Sequence, residues 1–166
     1  SKRVEELSNG YDSTLELSRT ELKKCQTIFT DKTEDLESAK IYIITVPTPI
    51  KSNNLPDLSF VIDASTIVGK VMKRNNIVVY ESTVYPGATE EVFIPVIEKN
   101  SGLQANRDFF YGYSPERINP GDKHHTIENI TKVVSGSNPI TTKLLKKIYS
   151  KIINAGIHLT SNIKVA

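Results

Sequence analysis

At 166 residues, 38% hydrophobic and 24% charged, the chain has the composition of one ordinary globular domain with room for a sizeable core. A net charge of only +2, with basic residues scattered among acidic ones, excludes the basic footprint of a nucleic-acid binder. One cysteine excludes an internal disulfide and points to a reducing cytoplasm, and no apolar run approaches the roughly 20 residues of a membrane helix.

In chain order, SKRVEELSNG has no apolar stretch behind its basic residues, so it does not read as a signal peptide. Val4 and Leu7 start a weak helix that stops at Asn9-Gly10. Leu15, Leu17 and Leu22 predict a second amphipathic helix over Thr14 to Lys24. Gln26 to Thr30 reads as a short strand, and Asp31 opens a small acidic helix through Ser38. Ile41 to Val46 is a continuous apolar strand stopped by Pro47 and Pro49, which predicts a parallel sheet covered on both faces. Leu58 to Arg74 carries a helical stripe of Val61, Ile62, Ile67, Val68 and Val71. Asn76 to Glu81 is the next buried strand, and Thr89 to Asn100 a helix interrupted by Pro95. Strands follow at Phe109 to Tyr113 and Lys132 to Gly136, then a helix over Pro139 to Asn154 and a strand over Gly156 to Thr160. The alternation predicts an α/β fold with a mostly parallel sheet, whose ligands bind beyond the carboxyl ends of the strands.

Three polar motifs fall at that edge: Val46-Pro47-Thr48-Pro49, Glu81-Ser82-Thr83-Val84-Tyr85-Pro86-Gly87-Ala88, and Ser114-Pro115-Glu116-Arg117-Ile118-Asn119-Pro120-Gly121-Asp122. Each has a plain structural reading as a stiff turn, a helix cap or a surface loop. Their shared position favours a common site. A carboxylate such as Glu116, held in a dry cleft on a proline-restricted loop, could exchange protons near neutral pH. His124 and His125 are adjacent and lack the spacing of a metal pair, so no metal is expected.

The segments KRVEELSNGYDST, YIITVPTP, ESTVYPGATEE, SPERINPGD and SNIKVA cover nearly the whole chain in one order. With them the chain resembles the UDP-glucose/GDP-mannose dehydrogenase family, and its SPERINPGD form looks most like the bacterial UDP-N-acetylhexosamine 6-dehydrogenases. The resemblance implies a Rossmann-like domain with helices on both faces of the sheet, incomplete at its N-terminal unit and ending at the start of a central helix. It implies NAD as cofactor and a UDP-sugar as substrate. The C6 alcohol would be oxidised to a carboxylate through a thioester on a family cysteine, to supply surface polysaccharide. Val46, Pro47, Thr48, Ser82 and Thr83 would line the NAD pocket. Thr83 would also help hold the catalytic water, and Glu116 would be the acid/base. Glu116, Arg117, Ile118 and Asn119 would lie along the sugar nucleotide.

The family's GxGxxG turn does not occur among the eight glycines, so a βα unit of roughly 30 residues is expected before Ser1. The family's catalytic lysine, asparagine and cysteine would lie beyond Ala166. Cys25 is expected to be a small buried residue rather than the nucleophile, and Lys164 is not the catalytic lysine. UDP-glucose and UDP-ManNAc remain alternative substrates, and a homodimer is the expected state of a full-length relative. A nucleotide-sugar-binding module without catalysis remains the alternative from a different class.

Overall fold

The computed structural model describes residues 1–117 and 129–166. They form two units, Ser1–Leu36 and Glu37–Ala166.

The first unit is organised by one buried carboxylate. Helix α1 (Lys2–Ser8) ends at Asn9, and Gly10 follows with φ +73°. Asp12 then accepts hydrogen bonds from Arg3 Nη2 at 2.6 Å and Thr14 Oγ1 at 2.6 Å. It also takes the backbone N–H groups of Thr14, Glu16 and Leu17. These amides are therefore held in a turn, and the helix expected from Thr14 starts only at α2 (Arg19–Lys24). A capping box between Ser18 and Glu21 sets that start. Among the described residues Gln26 to Thr30 pairs with no strand, and Ile28 is 84% exposed, so β-propensity alone did not make a ladder there. The acidic segment forms only a short 3₁₀ turn, Thr33–Leu36. Cys25, expected buried, ends α2 and is exposed.

Hydrogen bonds from Thr14 and Arg3 hold the Asp12 carboxyl well below the usual carboxylate range. Because the folded value is depressed, its stabilisation is full above the unfolded value of about 3.9 and is lost as pH falls toward the folded one. Asp12→Asn should therefore unfold at lower urea concentration than wild type at neutral pH, with the gap closing in acid. An equal gap at pH 7 and at pH ~2 would count against this account.

The second unit is a five-stranded sheet in the order β1 (Ile41–Ile44), β2 (Ile77–Tyr80), β3 (Phe110–Tyr113), β4 (Lys132–Gly136), β5 (Ile157–Leu159). Strands β1, β2 and β3 are parallel, β4 is antiparallel to β3, and β5 is parallel to β4. The amino end of β4 thus shares an edge with the carboxyl ends of β1, β2 and β3. Helices cover both faces. On one, Tyr80 stacks on Phe93 at 5.1 Å and shares a hydrogen bond of 2.9 Å with Ser65 of α3 (Ser59–Val71). On the other, Ile77, Val79 and Val134 pack against Leu145 and Tyr149 of α5 (Pro139–Tyr149).

Three expectations shift locally. Strand β1 stops at Ile44 and lies at the sheet edge among the described residues, which leaves Ile43 48% exposed instead of covered. Ile67 is also exposed, because α3 turns Val61, Ser65 and Val68 inward. Pro95 does not interrupt its helix. A π-helical turn, Thr89–Phe93, runs into α4 (Ile94–Ser101), and Pro95 occupies the first turn of α4, where a missing N–H is tolerated. No helix among the described residues is long and apolar enough to cross a membrane.

Candidate functional site

Past Ile44 and Tyr80 the chain leaves the sheet through polar loops that are fastened to each other. Ser82 Oγ donates to the Val46 carbonyl at 2.6 Å, and Thr48 Oγ1 donates to the Thr83 carbonyl at 2.7 Å. Each loop supplies one hydroxyl and one carbonyl, so their relative position is fixed twice. The third loop joins through its backbone: Ser114 N–H donates to the Tyr80 carbonyl at 2.9 Å and Glu116 N–H to the Glu81 carbonyl at 3.2 Å. Between them lies a cavity of about 220 Å³, walled by Val46, Pro47, Thr48, Ser82, Thr83 and Glu116, with Thr45 and Glu81. The residues expected from the first two motifs therefore meet Glu116 in one cleft. Arg117 instead turns its Nη1 to the Thr131 carbonyl at 3.2 Å. Ile118, Asn119, His124 and His125 lie outside the described residues.

One expectation is corrected here. Glu116 is not in a dry cleft: its side chain is exposed at the rim, and its Oε1 accepts the Arg117 N–H at 2.7 Å. Beyond Ser114 the chain has left the sheet, and among the described residues no strand or helix covers the side chain. The hydroxyl of Thr83 is exposed and makes no hydrogen bond among the described residues. Lys164 pairs with Glu91 at 2.9 Å, an exposed contact away from this cleft.

The charge buried behind the cleft was not expected. Glu81 ends the inward stripe Ile77, Val79, Glu81, and Lys132 begins the inward stripe Lys132, Val134. Lys132 Nζ donates to Glu81 Oε2 at 3.1 Å, and Tyr149 OH donates to Glu81 Oε1. All three residues are buried. The Lys132 ammonium also lies 5.7 Å from the centre of the Tyr149 ring. Burial, then the Glu81 carboxylate, hold the Tyr149 hydroxyl well above the usual phenol range, so it stays a donor at neutral pH. The signal lay in the strand phase: opposite charges at inward positions of two strands.

Comparison with known proteins decides the family. Residues 1–153 match the model of the UDP-glucose/GDP-mannose dehydrogenase family, NAD binding domain. The chain belongs to this family.

It is 54% identical over 165 residues to a UDP-N-acetyl-D-glucosamine 6-dehydrogenase from Pseudomonas aeruginosa. It is 49% identical over 166 residues to a protein of the same name from Salmonella typhi. Each alignment covers 99% of this chain and 39% of the relative, so the chain spans well under half of either. The solved structure of a UDP-D-ManNAc dehydrogenase from Pyrococcus horikoshii superposes with a TM-score of 0.87 at 29% identity, over 98% of this chain and 40% of that one.

NAD is the cofactor of the matched domain. The cleft fits part of such a molecule. Its hydroxyls and carbonyls are mostly spent on fastening the loops, which leaves the apolar faces of Val46 and Pro47 for a ring or sugar, with the acidic Glu81 and Glu116 also in the lining. With no GxGxxG spacing in the sequence, these residues offer no pyrophosphate cradle.

Proposed function

We propose that this chain is the cofactor-binding part of an NAD-dependent dehydrogenase that oxidises C6 of UDP-N-acetylglucosamine to the uronic acid. The observation that carries the substrate is the identity gap. Two relatives named for this sugar stand at 54% and 49%, whereas a UDP-N-acetyl-D-mannosamine dehydrogenase from Pyrococcus horikoshii stands at 33% over 132 residues in the same sequence comparison.

In this reading Val46, Pro47, Thr48 and Ser82 hold the nicotinamide side of NAD in the fastened cleft. When bound, NAD supplies the two-electron oxidant. The free Thr83 hydroxyl holds a water by hydrogen bonding, and Glu116 exchanges a proton with that water or with the C6 oxygen. Arg117, Ile118 and Asn119 run along the sugar nucleotide. Cytoplasmic action as a homodimer and a product used for surface polysaccharide belong to the same reading.

The test is cofactor stoichiometry in the enzyme that carries this domain. An alcohol oxidised to a carboxylate gives up four electrons, so about two NADH should form per UDP-N-acetylglucosamine consumed. UDP-N-acetylgalactosamine, UDP-N-acetylmannosamine and UDP-glucose should turn over more slowly. Preference for UDP-glucose would remove the substrate, and sugar-nucleotide binding without NADH formation would leave a binding module.

A further inference from the structure

We propose that Glu81, Lys132 and Tyr149 are positioning residues for Glu116, a buried clamp that sets where the proton-exchanging loop leaves the sheet. The inference rests on the assignment of Glu116 in the proposed function.

The clamp joins three elements. Glu81 stands just past β2, Lys132 opens β4, and Tyr149 closes α5. Both Glu81 carboxylate oxygens are taken, one by Lys132 and one by Tyr149. The same Glu81 offers its backbone carbonyl to the Glu116 N–H at 3.2 Å. The loop is fixed to β4 on its other side, where Ser114 Oγ donates to the Val133 carbonyl at 2.7 Å and Arg117 Nη1 to the Thr131 carbonyl. These two carbonyls flank Lys132. The segment from Ser114 to Arg117 is therefore held between the residues that the ion pair ties together.

A plain core would not need this chemistry. Glu81 and Lys132 continue stripes of isoleucine and valine, and an apolar pair there would pack against α5 without desolvating two charges. A buried ion pair instead imposes one geometry, because each charge tolerates only the arrangement that keeps its partner. Among the described residues, the charged or titratable groups that face it are Tyr149 from α5 and Glu116 from the loop, whose charge acts on the Tyr149 hydroxyl. Lys143, Lys146 and Lys147 of α5 are exposed.

The experiment compares wild type, Glu81→Gln, Lys132→Met, Tyr149→Phe and the double variant Glu81→Gln/Lys132→Met in the enzyme that carries this domain. Hydrogen exchange of peptides spanning 113–117 reads the loop directly and needs no turnover. Exchange should speed up by roughly tenfold or more in Glu81→Gln and Lys132→Met, less in Tyr149→Phe, and stay fast in the double variant, which packs without the ion pair. The rate per NAD-binding molecule, counted by calorimetric titration, should fall by a similar factor in the two charge-breaking variants with KM for NAD unchanged. The double variant, freed of the stranded charge but without the clamp, should not recover it.

A merely structural pair would lower the number of NAD-binding molecules and leave the rate of each unchanged, which overturns the proposal. Unchanged exchange over 113–117 in the single variants, or a double variant restored to wild-type exchange and rate, overturns it too. If a single variant does not fold, Tyr149→Phe and the double variant decide by the same two readouts. Wild-type enzyme that forms no NADH with any UDP-sugar sinks the proposed function, while the exchange measurement still decides whether the clamp positions the loop.

Discussion

On the proposed function, Glu116→Gln should lower kcat of the enzyme carrying this domain by roughly 10²-fold or more and leave NAD binding nearly unchanged. Glutamine has the size of glutamate, and its amide oxygen can still accept the Arg117 N–H that Oε1 accepts now. The backbone link from Glu116 to the Glu81 carbonyl does not involve the side chain and survives. What the amide cannot do is take up and release a proton near neutral pH. The loss should therefore appear in kcat, with the dissociation constant for NAD, measured by calorimetry, within about twofold of wild type. The walls on which NAD is proposed to rest, Val46, Pro47, Thr48 and Ser82, belong to the other two loops. A variant with unchanged kcat would make Glu116 a loop residue and return its motif to turn chemistry. A variant that loses NAD binding and kcat together would place Glu116 in the cofactor pocket instead.

The difference between what was legible in the sequence and what was not follows from the range of the forces involved. The runs around IYII, IVVY, FYGY and KVVSG could be read as strands because each is short, apolar and bounded by proline, glycine or polar residues. The cleft was legible for a related reason. Val46 to Thr48, Ser82 and Thr83, and Glu116 each follow directly on such a strand, and parallel strands β1 to β3 bring their carboxyl ends to one edge. Errors gathered where a contact overruled a local pattern. Leu15 has helical spacing with Leu22, yet the Asp12 carboxylate holds the amides of that stretch in a turn. Gln26 to Thr30 has strand-forming residues and, among the described residues, no partner to complete a ladder. The clamp was hardest to see, since Lys132 and Glu81 are 51 residues apart and meet only once the sheet order is known. A rule that flags opposite charges at inward phase on different strands would have picked out both.

Lys132→Met should destabilise the sheet unit by about 3–5 kcal/mol, the usual cost of removing one partner from a buried ion pair. The methionine fills much of the lysine's volume and loses little apolar contact. The cost arises at Glu81, whose side chain is about as buried as that of Lys132, at 9% and 7% exposure. Without the ammonium the carboxylate keeps Tyr149 as its only side-chain donor in the clamp, and Oε2 is left in the core without a counter-charge. Adding Glu81→Gln removes the stranded charge and lets the Tyr149 hydroxyl keep an acceptor. The double variant should then lie within about 1–2 kcal/mol of wild type, the scale of one imperfect hydrogen bond. Urea unfolding followed by circular dichroism measures both values, with the slope against denaturant checked for equality among the variants. The order of the variants carries the argument. If Lys132→Met were as stable as the double variant, the Glu81 charge would be solvated in solution, and the pair would be a surface contact worth under about 1 kcal/mol.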